Sequence, residues 1–366
     1  MPDPRITKLA RVLTHYSLKL KPGQQVLLQT SPLADELSLA FIEQATVAGA
    51  HIFTLNDIPG AQEVFLKNAS EAQLDFAMPV RQTIYETFDA RMVIEAEANT
   101  RELAGVDPAR IARYRKTYGP LFKLFIDRLA RKEMRWCMTV YPTDAAAQDA
   151  NMSSSDYREF VFAAGMLDEA DPVTFWQAER QRQEKWIDWL KGHNQVVLKG
   201  ENVDLALSIK ERTFIPCAGE ENFPDGEIYT SPVEDSAEGW IRFKYPAVYD
   251  GQEIEDVELW FENGKAVRER AGRNQEMLTR LLDTDAGSRY LGEWGIGTNY
   301  GITRFTKNML FDEKLGGTIH LALGMGFPEA GGGNESGLHW DMLCDMATSE
   351  ITIDGETFYK DGRIAI

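Results

Sequence analysis

Helix-like and strand-like segments alternate through the first half of the chain, and this alternation constrains the fold more than any other feature of the sequence. A Pro22-Gly23 turn leads into residues 24–30, a short apolar run that predicts a strand. A helical pattern of apolar residues follows and stops at Gly49, and residues 51–55 predict the next strand. The chain is therefore predicted to open with a βαβ unit.

The alternation continues as far as residue 191. We expect a helix near residues 70–76, a strand at 91–96, a basic helix around 110–131, a strand at 135–141 and two helices within 154–191. Helices and strands that take turns imply a parallel sheet covered on both faces, so the predicted fold class is α/β with a doubly wound, mostly parallel sheet. No G-x-G-x-x-G sequence follows a strand here, so we do not expect a dinucleotide site.

The character of the sequence changes beyond Gly192. Alternating or β-branched patterns predict strands at residues 196–199, 203–209, 240–245 and 257–262, with one helix at residues 274–284. A chain of 366 residues also exceeds the usual size of a single hydrophobic core. We therefore predict an N-terminal α/β domain of residues 1–192 and a C-terminal α+β domain of residues 193–366 that is rich in antiparallel strands.

Charge and composition narrow the choice of partners. The formal net charge of −18 argues against nucleic acid or an anionic membrane as a partner. The sequence shows neither an apolar segment of signal-peptide type nor an apolar run long enough for a membrane span, which predicts a cytoplasmic protein. Cys137, Cys217 and Cys344 are far apart and form no C-x-x-C pair, so neither a disulfide framework nor a thiolate zinc site is expected.

His339-Trp340-Asp341 is the sharpest candidate for a metal site. On an extended strand, residues i and i+2 project from the same face, so the imidazole of His339 and the carboxylate of Asp341 would point together. A divalent cation accepts such a mixed set of nitrogen and oxygen ligands. His320 lies within an apolar, strand-like run at residues 317–324, where a polar ring needs a partner. The alternative for His320 is a hydrogen-bonded core histidine.

Two glutamates lie in unusual settings. Glu227 precedes an apolar pair in a segment with prolines towards both ends, and Glu293 lies among glycines that permit close approach of the backbone to a ligand or a neighbouring chain. The alternative for each is an ordinary turn carboxylate. The other three histidines, His15, His51 and His193, have no group of carboxylates around them, and we expect structural roles for them.

Four blocks of the sequence resemble the M29 metallo-aminopeptidases, the thermophilic or aminopeptidase T family. The blocks are AGEENFPDGEIYTSP, LGEWGIGTNYGI, GGTIHLALGMGFPEAGG and SGLHWDML, and the likeness extends over nearly the whole chain. Matched motif by motif, the resemblance implies metal ligands at Glu227, Glu293, His320, His339 and Asp341. It also implies that residues 193–366 form the metal-binding catalytic domain of an aminopeptidase that acts on short peptides as a homodimer.

The implied ligand set is consistent with two-metal hydrolysis. Three carboxylates and two imidazoles suit two divalent ions, such as zinc, cobalt or manganese, bridged by a carboxylate at a separation of about 3.5–4 Å. Two such ions activate a water and polarise the scissile carbonyl of a peptide. The resemblance makes Glu293 the catalytic candidate that moves a proton to the leaving amine.

One position departs from the pattern of the family. Members commonly have a tyrosine seven residues after the histidine of the third block, and Phe327 stands there in this chain. A lost hydrogen-bond donor to a developing oxyanion costs about a hundredfold or more in turnover. Either the enzyme is slow, or Tyr229 or Tyr300 supplies the hydroxyl, or the substrate differs.

Two other functions stay open from the sequence. A relative of the family acts on dihydroxypyridine, and a mononuclear iron(II) ring-cleaving dioxygenase would use His320, His339 and Asp341 as its ligands. Glu227 and Glu293 would then have no role. The third interpretation is a non-catalytic, metal-stabilised binding protein in which the ions only fix the C-terminal domain.

Overall fold

The chain divides into two compact units. The structure, a computed structural model, describes residues 3–249 and 251–366. The first unit comprises Met1–Thr174 and Gly219–Phe223, and the second comprises Phe175–Ala218 and Pro224–Ile366. The domain boundary expected between residues 192 and 193 rests on the change in sequence pattern and stays a prediction. The two units are instead defined by the contacts within each of them.

The elements follow one another with short connections. The strands are β1 Gln25–Thr30, β2 His51–Asn56, β3 Ala90–Glu95, β4 Arg135–Val140, β5 Gln195–Gly200, β6 Val203–Ser208, β7 Ile215–Cys217, β8 Asn222–Phe223, β9 Glu227–Thr230, β10 Glu238–Phe243, β11 Ala247–Tyr249, β12 Gln252–Ile254, β13 Val257–Glu262, β14 Lys265–Arg270, β15 Leu291–Gly297, β16 Thr318–Gly324, β17 His339–Asp345, β18 Glu350–Ile353, β19 Glu356–Lys360 and β20 Arg363–Ile364. The α-helices are α1 Pro4–Arg11, α2 Asp35–Val47, α3 Ala61–Asn68, α4 Glu71–Leu74, α5 Pro79–Thr87, α6 Pro108–Ala130, α7 Asp144–Asp149, α8 Ser154–Ala164, α9 Pro172–Leu190, α10 Gln275–Leu282 and α11 Met309–Asp312.

The first unit contains a five-stranded sheet in the order β2-β1-β3-β4-β8, and every pair of neighbours is parallel. In strand β1, the consecutive residues Val26, Leu27 and Leu28 are all buried. Successive side chains of a strand point to opposite faces, so both faces of the sheet are covered at this strand. After β1, the side chain of Ser31 accepts a hydrogen bond from the amide of Leu33 and starts the helical crossover to β2. The predicted α/β class with a mostly parallel sheet is confirmed.

The second unit contains two antiparallel sheets that are larger than its two-stranded sheet β11-β12. One has eight strands in the order β14-β13-β10-β6-β5-β18-β19-β20, and the other has five in the order β17-β16-β15-β9-β7. The two sheets share one hydrophobic core, which contains Leu205 and Leu259 of the eight-stranded sheet and Trp294 and Ile319 of the five-stranded sheet. One face of the five-stranded sheet is therefore apolar, which leaves the alternate residues of its strands for the opposite face. The predicted antiparallel character of the C-terminal part is also confirmed.

Two further observations concern membranes and cysteines. No helix within residues 3–249 and 251–366 is long and apolar enough to cross a membrane. No disulfide joins Cys137, Cys217 and Cys344, as the sequence predicts, and the first and last of these are buried.

Candidate metal centre

Five candidate ligands lie on four neighbouring strands of the five-stranded sheet. Glu227 begins β9, Glu293 lies in β15, His320 lies in β16, and His339 and Asp341 lie in β17. These are the same five residues that the sequence analysis singled out, and the fold brings all of them together although they span more than a hundred positions of the chain.

The register of the strands places these side chains on one face. In the ladder, Gly295 pairs with His320, and Ala322 pairs with Glu293 on one side and with Asp341 on the other. Directly opposite residues, and residues two apart in a strand, point to the same side of a sheet. Glu293, His320 and Asp341 therefore converge on the face opposite the hydrophobic core.

The local sequence of β15 alternates between the two faces. Trp294 and Ile296 are fully buried in the core, whereas Glu293 and Gly295 face the cluster. A Cβ atom on Gly295 would lie only 2.0 Å from Cε1 and Nε2 of His320. Glycine is therefore needed at this position, because it lets the imidazole of His320 lie directly against the backbone of the neighbouring strand.

Glu293 occupies the centre of the cluster. Its Oε1 atom lies 3.3 Å from Nε2 of His320, and its Oε2 atom lies 3.2 Å from Nε2 of His339. On either side of it, Oε2 of Glu227 lies 3.4 Å from Nε2 of His320, and Oδ2 of Asp341 lies 3.6 Å from Nε2 of His339. The two oxygens of one carboxylate thus face two different histidines.

The donor atoms form two triplets that share Glu293. Glu227, Glu293 and His320 present donor atoms within 4.8 Å of one another, and so do Glu293, His339 and Asp341. Each triplet offers one imidazole nitrogen and two carboxylate oxygens, a set that suits zinc, cobalt or manganese. In the described part of the chain, the two histidines fall in different triplets.

Lys314 is a neighbour of the centre that the sequence analysis missed. Its side chain is fully buried, its Nζ atom lies 3.4 Å from Oε1 of Glu227, and it forms an ion pair with Glu313. Burial would lower the pKa of Lys314, but the charges of Glu227, Glu313 and Asp225 raise it well above its usual value. No periodic pattern marks a lone charged pair in a turn, so the burial of this cation could not be predicted from the sequence.

The carboxylates and histidines perturb one another strongly. Burial would lower the pKa of His320 and of His339, but the hydrogen bonds and charges of the carboxylates raise these pKa values to about 10 and about 9. Burial would raise the pKa of Glu293, but its two imidazole partners hold that pKa at about 2. Without metal, two imidazolium groups therefore flank an ionised Glu293, and a bound metal ion must displace their protons.

Several buried polar atoms of the cluster have no hydrogen-bond partner among the described residues. They include Oε2 of Glu227, Oδ1 of Asp341 and Nδ1 of His320. Buried polar atoms in proteins are almost always paired, so the two unpaired carboxylate oxygens, Oε2 of Glu227 and Oδ1 of Asp341, indicate a missing ligand. Together with the mixed donor set, these atoms show that the residues present fit divalent metal ions.

The backbone fixes the orientation of one imidazole. Nδ1 of His339 lies 2.9 Å from the carbonyl oxygen of Met325, to which it would donate its proton. This hydrogen bond directs Nε2 of His339 towards Glu293 and Asp341. Such outer contacts are typical of histidines that bind metals.

Aromatic rings form one wall beside the centre. The ring centroid of Phe327 lies 4.9 Å from that of His339 and 5.4 Å from that of Tyr229. The hydroxyl of Tyr300, the other candidate from the sequence, donates a hydrogen bond to the carbonyl of Gly362 at 2.9 Å. Tyr229 therefore faces this wall, whereas the hydroxyl of Tyr300 is held elsewhere.

The three remaining histidines lie apart from these triplets. His15 is exposed in a π-helical turn, His51 begins β2, and the ring of His193 stacks on Trp189 with centroids 4.3 Å apart. None of them belongs to a metal-binding group within residues 3–249 and 251–366.

The chain is similar to known proteins over nearly its whole length. The model of the thermophilic metalloprotease family M29 matches residues 2–364. Aminopeptidase T of Thermus thermophilus is 26% identical, with 98% of this chain and 95% of the relative covered. Aminopeptidase 2 of Geobacillus stearothermophilus is 27% identical, with 99% and 95% covered.

Two solved structures share the fold. Wild-type AmpT from Thermus thermophilus superposes with a TM-score of 0.86 at 23% identity, covering 99% of both chains. The 2,5-dihydroxypyridine dioxygenase from Pseudomonas putida KT2440 superposes with a TM-score of 0.60 at 15% identity, covering 98% of this chain and 96% of that one. At such identities the two structures establish the fold alone.

Proposed function

Given that the chain belongs to the M29 family of thermophilic metalloproteases, we infer that it is a metal-dependent aminopeptidase. We propose further that it holds two divalent ions, zinc, cobalt or manganese, and removes the N-terminal residue from short peptides. Glu227, Glu293 and His320 would hold one ion, and Glu293, His339 and Asp341 would hold the other.

The observation that supports two ions is the position of Glu293. One of its oxygens faces His320 at 3.3 Å and the other faces His339 at 3.2 Å, so a single carboxylate serves both triplets. A bridging carboxylate between two ions about 3.5–4 Å apart is the usual arrangement in two-metal aminopeptidases. When bound, two such ions lower the pKa of a water and polarise a scissile carbonyl.

The protein's own residues orient the reactants and move a proton. We assign Glu293 to the proton transfer: it would accept a proton from the attacking water and return it to the leaving amine. Its carboxylate lies between the two triplets, 3.3 Å from His320 and 3.2 Å from His339, which would bring it close to a water held there. The hydrogen bond from His339 to the carbonyl of Met325 keeps Nε2 available, and Lys314 holds Oε1 of Glu227.

The ligand geometry favours the peptidase over a mononuclear iron(II) dioxygenase. A site built from His320, His339 and Asp341 needs both histidines on one ion, yet in the described chain they belong to different triplets. It would also give no metal ion to Glu227 and Glu293, two buried carboxylates that face the same cluster.

The test is release of free amino acid from unblocked dipeptides and from their N-acetylated counterparts. Protein stripped with a chelator should be inactive, and zinc, cobalt or manganese should restore release from the unblocked peptides alone. Glu293→Gln should abolish release and reduce the bound metal from about two equivalents to one or fewer, because a neutral amide is a poor bridging ligand.

Glu269→Gln is the matched control. Glu269 is a partly buried glutamate of the same unit that pairs with Arg289 at 3.0 Å and lies outside the metal triplets. This variant should keep both metal ions and full turnover. No release with any metal would refute the peptidase, and oxygen consumption with hydroxylated pyridines would then support the dioxygenase.

The assembly and location of the protein stay predictions. A homodimer and a cytoplasmic location are proposed from the resemblance and from the sequence. Sedimentation of the purified protein and fractionation of the cells that make it would test them.

A further inference from the structure

We propose that Tyr229 is a catalytic residue whose hydroxyl stabilises the oxyanion that develops on the scissile carbonyl. The inference rests on the proposed peptidase function and adds one residue to it. Preorganised hydrogen-bond donors at a developing oxyanion are among the largest contributors to acyl-transfer catalysis. None of the five candidate metal ligands is free to act as such a donor.

The register of the sheet places Tyr229 on the face of the metal centre. Tyr229 lies two residues after Glu227 in β9, and it pairs directly with Gly295 of β15, which in turn pairs with His320 of β16. Residues related in this way share one face of a sheet. Gly295 has no side chain and the ring of His320 lies against it, so the rings of Tyr229 and His320 lie on the same face as Glu293.

The packing around Tyr229 directs its ring along this face. The ring meets Phe327 edge to face, with centroids 5.4 Å apart, and Phe327 in turn contacts the ring of His339. Edge-to-face packing of this kind fixes the plane of a tyrosine ring while it leaves the hydroxyl end free. Phe327 contributes a ring beside the centre but no hydroxyl, whereas its neighbour Tyr229 carries one.

The hydroxyl of Tyr229 is available for a ligand. Among the described residues it forms no hydrogen bond, and it is not one of the buried polar atoms without a hydrogen-bond partner, unlike the hydroxyl of Tyr359. A phenol that is reachable from solvent and unpaired, beside a cluster of carboxylates, is positioned to donate to an incoming oxygen. The hydroxyl of Tyr300 is already committed to the carbonyl of Gly362.

The proposed step balances without any further reactant. As the oxygen of the water bonds to the carbonyl carbon, the π pair of the C=O bond moves onto the carbonyl oxygen, which accepts the hydrogen bond from Tyr229. When the C–N bond breaks, that pair returns to the C=O bond. The leaving nitrogen takes the proton that Glu293 received from the water, and Tyr229 keeps its own proton throughout.

Tyr229→Phe tests the inference because it removes one oxygen atom and keeps the ring. We expect kcat for an unblocked dipeptide to fall by about 100-fold or more, with little change in KM and with both metal ions retained. A peptide phosphinate, whose tetrahedral oxygens imitate the oxyanion, should bind more weakly to the variant by a similar factor. Tyr300→Phe, which removes the hydroxyl bound to Gly362, should change neither kcat nor the affinity for the phosphinate.

Adding Phe327→Tyr to Tyr229→Phe separates a chemical role from a packing role. The two rings are neighbours, so a hydroxyl restored on the second ring should recover at least about tenfold in kcat and regain phosphinate binding. A single Tyr229→Phe variant that keeps kcat within about threefold of the wild type would overturn the inference. Loss of metal in Tyr229→Phe would also overturn the inference. So would a double variant that recovers neither kcat nor phosphinate binding, because the loss of activity would then come from altered packing.

Failure of this inference is distinct from failure of the proposed function. If the wild-type protein loaded with metal releases amino acids and Tyr229→Phe does so equally well, only the role of Tyr229 is lost. If the wild-type protein releases none with any metal, the peptidase function itself is refuted. Phosphinate binding by the metal-loaded protein provides a readout that does not depend on turnover.

Discussion

At the scale of single residues, Lys314 is a buried cation that compensates carboxylates beside the metal centre. Its ammonium is fully buried between Glu227 and Glu313, and the raised pKa keeps it charged throughout the neutral range. A buried ion pair contributes little net stability when it is intact, but removal of one partner leaves the other charge uncompensated.

Lys314→Met should therefore destabilise the protein by about 3–5 kcal/mol, as measured by urea unfolding of the metal-free protein. Lys307→Met is the control, because Lys307 pairs with Glu253 at 3.0 Å in a partly exposed setting. That variant should lose about 1 kcal/mol or less. Equal losses in the two variants would mean that Lys314 does not compensate the buried carboxylates.

Gly295 offers a second prediction at this scale. A Cβ atom there would lie 2.0 Å from the ring of His320, so Gly295→Ala should push the imidazole away from Glu227 and Glu293. We expect the variant to bind about one equivalent of zinc where the wild type binds about two, as measured by metal analysis after dialysis. Gly119→Ala, at a position where a Cβ meets no neighbour within 4 Å, should bind the full amount.

The sequence predicts the ligands better than it predicts their surroundings. His320 is a polar residue in an apolar run, and His339 and Asp341 lie two apart on a strand, so each leaves a signal. The full set of candidate ligands, with Glu227 and Glu293, was implied by the resemblance of four sequence blocks to the M29 family. Lys314 leaves no such signal in the sequence, because its burial depends on how the turn after α11 packs beside β15. Whether Tyr229 faces the centre likewise depends on the register of β9, since a shift by one residue would turn its side chain to the opposite face of the sheet.

At the scale of elements, Asp285 joins the two segments that lead into the ligand strands. Its carboxylate accepts hydrogen bonds from the amides of Gly287 and Gly337, at 2.9 and 2.6 Å, and from the hydroxyls of Ser288 and Ser336. The first segment continues into β15 and the second into β17. This one side chain therefore aligns the strands that carry Glu293 and His339.

Asp285→Ala should lower the free energy of unfolding by about 1 kcal/mol at neutral pH and weaken metal binding. The hydrogen bonds, first among them the one from Gly337, hold the pKa of Asp285 at about 2, below its usual value of 3.8. A depressed pKa stabilises the fold above the usual value, and this contribution is lost as the pH falls from about 4 to about 2.

The difference between wild type and variant should therefore be constant near neutrality and disappear by about pH 2. Guanidinium unfolding at several pH values, followed by tryptophan fluorescence, measures it. A difference that persists unchanged down to pH 2 would show that the carboxylate is not the stabilising group.

Elements with their own periodic pattern were predictable, and elements defined by tertiary pairing were not. The strand Val257–Glu262 alternates apolar and polar residues and agrees with the predicted limits. The helix expected at residues 70–76 is a single turn, Glu71–Leu74, because Ser70 caps it and no apolar face extends it. Strand Asn222–Phe223 has two residues and exists only because it pairs with β4, so it carries no pattern of its own.

At the scale of the whole molecule, the metal centre belongs to one of the two units. All five candidate ligands lie within Pro224–Ile366, which is part of the second unit. Alternation of helices and strands predicted the first unit's sheet because its periodicity is local. The second unit's core combines two antiparallel sheets, whose pairing involves strands far apart in sequence, such as β5 with β18, and no local pattern encodes such a pair.

Metal ions that bind only the folded second unit should stabilise that unit alone. At a free metal concentration about 100 times the dissociation constant, binding adds about 2.7 kcal/mol to the free energy of unfolding. Differential scanning calorimetry should therefore show one transition that moves to lower temperature on chelation and returns with zinc, and one that is unaffected. In Glu293→Gln, one carboxylate oxygen becomes an amide nitrogen and the negative charge is lost, so the metal-dependent shift should largely vanish. Two transitions that move together would show that the units unfold cooperatively, and no shift in either would show that the triplets around Glu293 bind no metal.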